Sequence, residues 1–260
     1  MSPAMDTTNQ AEPGALAGLR VVLCRTSHAG NIGGAARAMK VMGLSDLALV
    51  SPREFPSPEA TARATGAADM LDRARVVATL DEAVADCVWV VGFTARDRVE
   101  GAPVVDVEDA AAEALAWAPR GPVAFVFGNE RTGLENTELV TCNALARIPT
   151  TTSLSSLNLA AAVQVASYEL RRQALRRGPV PAAATDAGDD ETLASRQDLV
   201  ALFDRVWKEV AASPRYRSDD QRVALLRARF EQLMVRAQPR RTEVRAVHGV
   251  LSWLGAARDR

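Results

Sequence analysis

Four short apolar runs, each followed by a polar or glycine-rich break and then by helix-forming residues, constrain this chain more than any other feature. They lie at 19–24 (LRVVLC), 47–50 (LALV), 88–93 (VWVVGF) and 123–127 (VAFVF). Runs with little polar alternation are buried on both faces, which is the condition of strands in a parallel sheet covered by helices on each side. The segments between them fit that reading. Residues 32–42 place Ala35, Ala38, Met39 and Met42 on one side of a helix, and Gly43 stands where a C-terminal cap belongs. Further helices are expected at 58–67, 80–85 and 107–117, with a short strand at 75–77. Strands alternating with helices predict an α/β fold whose ligands bind beyond the carboxyl ends of the strands. The loops at 25–31, 94–98, 128–134 and 149–157 are therefore where a site belongs.

A break follows. Residues 178–192 are rich in Pro, Ala and acids and carry no amphipathic period, so they read as a linker. Beyond it, Leu199, Leu202, Phe203, Val206, Trp207 and Val210 fall at helical spacing. So do Val223, Leu226, Phe230, Leu233 and Met234, and then Val244, Val247, Val250, Leu251 and Leu254. The expected organisation is a flexible N-terminal extension at 1–18, a main domain at 19–177, the linker, and at 193–260 a small α-helical C-terminal domain that either binds RNA or supports a dimer. Charge separates the two units. The whole chain carries a net charge of −1, but residues 193–260 hold 14 Lys+Arg against 8 Asp+Glu. The only lysines are Lys40 and Lys208, so the positive charge is almost all arginine. Arginine suits planar, bidentate phosphate contacts, although a compositional bias accounts for it equally well. No apolar run approaches the ~18 residues that cross a bilayer, and no basic-then-apolar leader opens the chain, so the expected location is cytoplasmic with no membrane partner. Cys24, Cys87 and Cys142 are widely spaced in apolar or mixed surroundings and read as reduced, buried thiols. With two histidines and no ligand spacing, no metal is expected.

Nicotinamide and nucleoside-triphosphate signatures are also absent. Three segments stand out instead: TSHAGNIGGAARAMK at 26–40, FGNERTGL at 127–134 and IPTTTSLSSLNLA at 148–160. Together, in this order, they resemble the three motifs of the SpoU branch of the SPOUT RNA methyltransferases, and most closely its bacterial members that act on cytidine and uridine of tRNA. The resemblance runs from about 19 to 171 and more weakly over 225–254. It implies a Rossmann-like, mostly parallel sheet ending in a deep trefoil knot, S-adenosyl-L-methionine as cofactor, tRNA as partner and a homodimer. The implied reaction is methyl transfer to a ribose 2′-hydroxyl, with position 32 of the anticodon loop as the expected target. A ribosomal RNA substrate, or a non-catalytic RNA-binding protein of the same fold, are the alternatives.

Carried over by motif, the implied cofactor positions are Phe93, Thr94, Ala95, Gly128, Ile148, Ser155, Ser156 and Leu157, the catalytic ones Arg37, Ser156 and Asn158, and the substrate-binding ones Asn31 and Glu130. Each also has a plain reading. Arg37 suits a surface ion pair. Asn31 beside Gly30 suits a turn. Glu130 suits either the orientation of Arg37 and the nearby loop or a helix start, and Ser156 and Asn158 suit an N-cap before a helix at 159–168. His28 reads as a hydrogen bonder that shapes its loop, since no carboxylate pairs with it in the sequence.

Overall fold

The four apolar runs occupy the interior of a seven-stranded sheet in which every strand pair is parallel. The computed structural model describes residues 16–95, 103–151, 156–177, 192–212 and 221–258. Its strands are β1 Leu19–Cys24, β2 Asp46–Val50, β3 Arg75–Val77, β4 Trp89–Phe93, β5 Val104–Asp106, β6 Val123–Phe127 and β7 Ala144–Arg147. Across the sheet they run β3-β2-β1-β6-β4-β7-β5. The helices are α1 Ala29–Met42, α2 Pro58–Ala64, α3 Ala68–Arg73, α4 Leu80–Ala83, α5 Val107–Trp117, α6 Asn136–Leu139 and α7 Leu159–Arg177, then α8 Arg196–Ala211, α9 Gln221–Ala237 and α10 Arg241–Arg258. Most of the N-terminal extension, nearly all of the linker and Ser155 lie outside the described residues.

Successive strand residues point to opposite faces, and both faces are buried. Val21, Leu23, Leu49, Val91, Phe125 and Phe127 pack with α1, α5 and α7 on one side. Val22, Ala48, Val90, Ala124 and Val126 pack on the other with Leu80, Val84, Cys142 and Leu145. Burying a side chain such as Phe125 stabilises the fold by about 1.5–3 kcal/mol. A third apolar cluster, including Leu199, Leu202, Phe203, Val235 and Val244, holds α8, α9 and α10 together.

The joint between this helical unit and the sheet domain is polar. Arg196 and Gln197 donate their backbone N–H groups to the carbonyls of Cys87 (3.0 Å) and Ala85 (2.9 Å). The Arg196 guanidinium reaches Asp81 (3.1 Å) and Thr141 (3.3 Å). Asn143 donates to the Val235 carbonyl of α9 (2.8 Å) and accepts from Val90 N–H of β4 (2.7 Å).

Gly43 caps α1 in the left-handed region (φ 87°) as its position predicts. The other end of α1 differs from expectation, starting at Ala29 rather than 32. Gly30, expected in the loop, and Gly33, within the expected helix, are contact points for α2. A Cβ on Gly33 would stand 2.0 Å from the Ala60 carbonyl oxygen. Glycine here serves helix–helix proximity, which a local pattern does not reveal. The 58–67 helix is also broken, with a 3₁₀ turn at Thr65–Ala67 before α3. The three cysteines are free and buried.

Candidate active site

Strand order brings the motifs together. In register, Leu23 of β1 pairs with Phe127 of β6, Phe127 with Phe93 of β4, and Phe93 with Ala146 of β7. The loops after β1, β6, β4 and β7 are distant in sequence, yet they emerge side by side at the carboxyl edge of the sheet. Stacked rings of Phe93 and Phe127, with centroids 4.3 Å apart, form the floor between two of them.

Above this edge opens a cavity of about 570 Å³, lined by Phe93, Thr94, Ala95, Gly128, Ile148, Ser156 and Leu157. Seven of the eight positions expected to hold a cofactor therefore share one cavity, and the eighth, Ser155, is outside the described residues. Glu130 lines it too. The volume lies in the range of small-molecule sites. Its walls combine apolar surface from Phe93, Leu134, Ile148 and Leu157 with polar groups from Thr94, Glu130 and Ser156. Such a mixture fits a nucleoside carrying a charged amino-acid tail.

The second motif forms a tight hairpin. Asn129 and Gly133 exchange backbone hydrogen bonds (3.2 and 2.8 Å), so the chain doubles back on itself. A Cβ on Gly128 would stand 2.1 Å from the Gly133 carbonyl carbon, so glycine is required for that closeness. The Asn129 carboxamide oxygen accepts from Arg131 N–H (3.0 Å) within the hairpin, while its nitrogen donates to the Arg25 carbonyl (2.6 Å) and Ser27 Oγ (2.7 Å). Arg25 braces the same hairpin from behind, donating to the Gly133 carbonyl (3.1 Å) and pairing with Glu138 and Glu135. Sequence reading passed over Arg25, Ser27 and Asn129 as site-building residues. Ser27 and Asn129 lay within the first two motifs, whereas Arg25 was marked only by its place in a polar loop after a strand.

Glu130 is the junction between the first two motifs. It accepts from the backbone N–H groups of Ser27 (2.8 Å) and His28 (3.2 Å) at the entrance to α1, and from Asn31 Nδ2 (2.9 Å). The expected tie from Glu130 to Arg37 is not formed; its carboxylate faces the start of α1, while Arg37 lies nearly two turns further along that helix. Partial burial acts to raise the Glu130 pKa, but the hydrogen bonds from Asn31, Ser27 and His28 outweigh it and hold the carboxyl below the ordinary glutamate value. Asn31 passes the connection on: its Oδ1 accepts from Asn158 Nδ2 (2.9 Å) in the third motif. Asn158 Oδ1 in turn accepts from the backbone N–H groups of Ala160 (3.0 Å) and Ala161 (3.4 Å), so it caps α7 as well. One polar chain, Glu130–Asn31–Asn158, thus joins all three motifs beside the cavity.

Arg37 stands on the exposed face of α1 and has no hydrogen bond or ion pair among the described residues. It lies one turn beyond Gly34, whose Cβ would stand 2.9 Å from Ala160 Cβ at the start of α7. The guanidinium is thereby carried on the helix that Glu130 and Asn31 anchor, without being locked by a partner. His28 is the N-cap residue of α1, but its side chain makes no cap bond; the main chain does the shaping.

Comparisons with known proteins agree with this arrangement. The SpoU rRNA methylase family profile matches residues 18–168. The tRNA (cytidine/uridine/adenosine-2′-O-)-methyltransferase TrmJ of Pseudomonas aeruginosa is 54% identical over 154 residues, which is 59% of this chain and 60% of that protein. The tRNA (cytidine/uridine-2′-O-)-methyltransferase TrmJ of Cronobacter sakazakii is 38% identical over 244 residues, covering 94% of this chain and 98% of the relative. Among solved structures, TrmJ from Z. mobilis ZM4 superposes with a TM-score of 0.78 at 33% identity, covering 91% of this chain and 98% of that one.

Proposed function

The chain belongs to the SpoU rRNA methylase family, and from that premise we propose that it transfers a methyl group from S-adenosyl-L-methionine to the ribose 2′-hydroxyl of a cytidine or uridine in tRNA. The observation that carries this reading is the convergence of three sequence-distant motifs on one cavity, joined by the Glu130–Asn31–Asn158 chain. The near full-length likeness to a tRNA (cytidine/uridine-2′-O-)-methyltransferase supports the substrate class.

Phe93, Thr94, Ala95, Gly128, Ile148, Ser155, Ser156 and Leu157 hold the donor. Phe93, Ile148 and Leu157 supply apolar surface for an adenine, and the loop backbone supplies donors and acceptors for its edge. The chemistry the donor brings is an electrophilic methyl group on a sulfonium. The protein's part is to bring a ribose oxygen into line and to favour charge on it. Arg37 binds the phosphate next to the target nucleotide and stabilises charge on the 2′-oxygen through charge-assisted hydrogen bonds, and the hydroxyl proton passes to solvent water as the oxygen takes the methyl group. Ser156 and Asn158 orient the ribose, while Asn31 and Glu130 fix the loop against which it rests.

The remaining parts of the reading follow from the same resemblance. The stretch from β6 to α7 is threaded as a trefoil knot, a reading supported by β7 returning to the far side of β4 from β6. Residues 19–177 form the methyltransferase domain and 193–260 a helical domain whose arginines meet RNA phosphates. Two copies associate through α1 and α7, which lie together and leave Val41 (64% exposed) and Tyr168 (50%) open to solvent. The enzyme works in the cytoplasm, where tRNA is found. Mapping 2′-O-methyl sites in RNA from cells lacking this protein tests the whole reading: loss at a tRNA anticodon-loop pyrimidine, expected at position 32, supports it. Loss confined to ribosomal RNA would replace the substrate, and an unchanged map would overturn the activity.

A further inference from the structure

One wall of the cavity comes from outside the motif-bearing domain. Gln232, on α9 of the helical unit, lines the same space as Phe93, Gly128 and Leu157. It is half-buried, and its carboxamide has no hydrogen-bond partner among the described residues. A carboxamide offers two N–H donors and two acceptor positions, so one placed in a cavity wall is equipped to read the polar edge of a ligand.

The position of Gln232 is not left to a loosely attached helix. Three residues further along α9, the Val235 carbonyl accepts from Asn143, whose side chain also holds Val90 N–H in β4, the strand that ends at Phe93. Val235 is itself buried in the helical cluster. The start of α8 is pinned separately through Arg196 to Asp81 and Thr141. The helical unit is thus registered against the sheet domain at two separate places.

We propose that Gln232 is a ligand-binding residue of the methyl-donor cavity, so that the helical unit completes the donor site of its own chain besides any part it has in holding RNA. The inference depends on the donor reading above. It has a thermodynamic corollary: if the donor touches α9, donor binding and the docking of α9 stabilise each other by the same free energy. A carboxamide matches two parts of an adenosyl amino acid, the adenine edge, with its adjacent donor and acceptor, and the zwitterionic amino-acid end.

The test is calorimetric and uses the full chain. S-adenosylhomocysteine carries both ends of the donor; 5′-methylthioadenosine lacks the amino-acid end. Gln232→Ala and Gln232→Leu should weaken S-adenosylhomocysteine binding by about three- to tenfold, the factor expected for one or two hydrogen bonds. A matching loss for 5′-methylthioadenosine assigns Gln232 to the adenine edge, and an unchanged affinity for it assigns Gln232 to the amino-acid end. Amide exchange across α9 should slow on addition of S-adenosylhomocysteine in the parent and much less in Gln232→Ala. If the parent binds while both variants bind within twofold of it and α9 exchange does not respond, the inference is wrong and the donor reading stands. If the parent binds neither compound, both fall together.

Discussion

A guanidinium cannot take up the proton that a ribose hydroxyl loses, because it already carries its full complement of protons. Arg37 is therefore proposed to act by placing positive charge, and its exposed position, with no hydrogen bond or ion pair among the described residues, leaves that charge available. Arg37→Ala is expected to lower methylation by at least ~100-fold while donor affinity changes no more than a few-fold, since the loss falls on transition-state charge. Steady-state kinetics alongside donor calorimetry check this; equal rates would remove Arg37 from the mechanism. Glu130 has a different role, visible in pH. Its carboxyl is held below the ordinary value by Asn31, Ser27 and His28, so the stability it contributes is present above the unfolded glutamate pKa of about 4.3 and is lost as pH falls through the lower folded value. The stability gap between parent and Glu130→Gln should stay constant from neutral pH to about 5 and close only under more acid conditions, as read by denaturant midpoints. These roles were partly legible in the sequence. Glu130, Asn31 and Asn158 stood out as motif members, but their linkage across 99 and 127 residues depends on strand order, which no local pattern contains.

Elements carry the site by approaching one another closely. Gly33 lets α1 lie against the backbone of α2, and α1 is the helix that bears Asn31 and Arg37. Gly33→Ala should destabilise the protein by about 1–3 kcal/mol through overpacking, because the obstructing atom is the Ala60 carbonyl rather than a flexible side chain. Urea unfolding measures this, and an unchanged midpoint would mean that α2 yields without cost. The three tail helices formed where their apolar periodicity placed them, although Leu226, Leu233, Val250 and Leu254 of that pattern remain exposed. Shorter elements escaped the reading for a physical reason: β5 has three residues, α6 has four, and β7 is an Ala–Leu–Ala–Arg strand without a β-branched residue. The tail's arginines are proposed to meet RNA. Replacing Arg222, Arg229 and Arg236 on α9 by alanine should weaken tRNA binding and reduce the slope of log affinity against log salt by roughly 0.7–0.9 for each phosphate no longer neutralised. Equal slopes for parent and triple variant, with donor affinity retained, would show that this face does not meet RNA.

At the scale of the whole molecule, the parallel α/β architecture and the four site-bearing loops were legible because apolar runs and breaks alternate along the chain. The meeting of those loops was not, since it requires β6 to insert between β1 and β4, and β7 to return beyond β4. Nor did the sequence reveal how closely the helical unit attaches. The acid- and proline-rich break suggested two separable units, yet Arg196 and Asn143 tie the second to the first, and Gln232 of the second lines the cavity. The proposed donor site and the helices proposed to face RNA thus belong to one connected structure, and that structure is proposed to methylate a ribose of tRNA. The most direct test incubates the full-length protein with unmodified tRNA transcript and S-adenosylmethionine carrying an isotopically labelled methyl group, then digests the RNA and locates the label by mass spectrometry. Label is expected on the ribose 2′-oxygen of a cytidine or uridine, in a dinucleotide resistant to nuclease cleavage. Label on a base, or no label from a protein that binds the donor and the tRNA, would contradict the assignment.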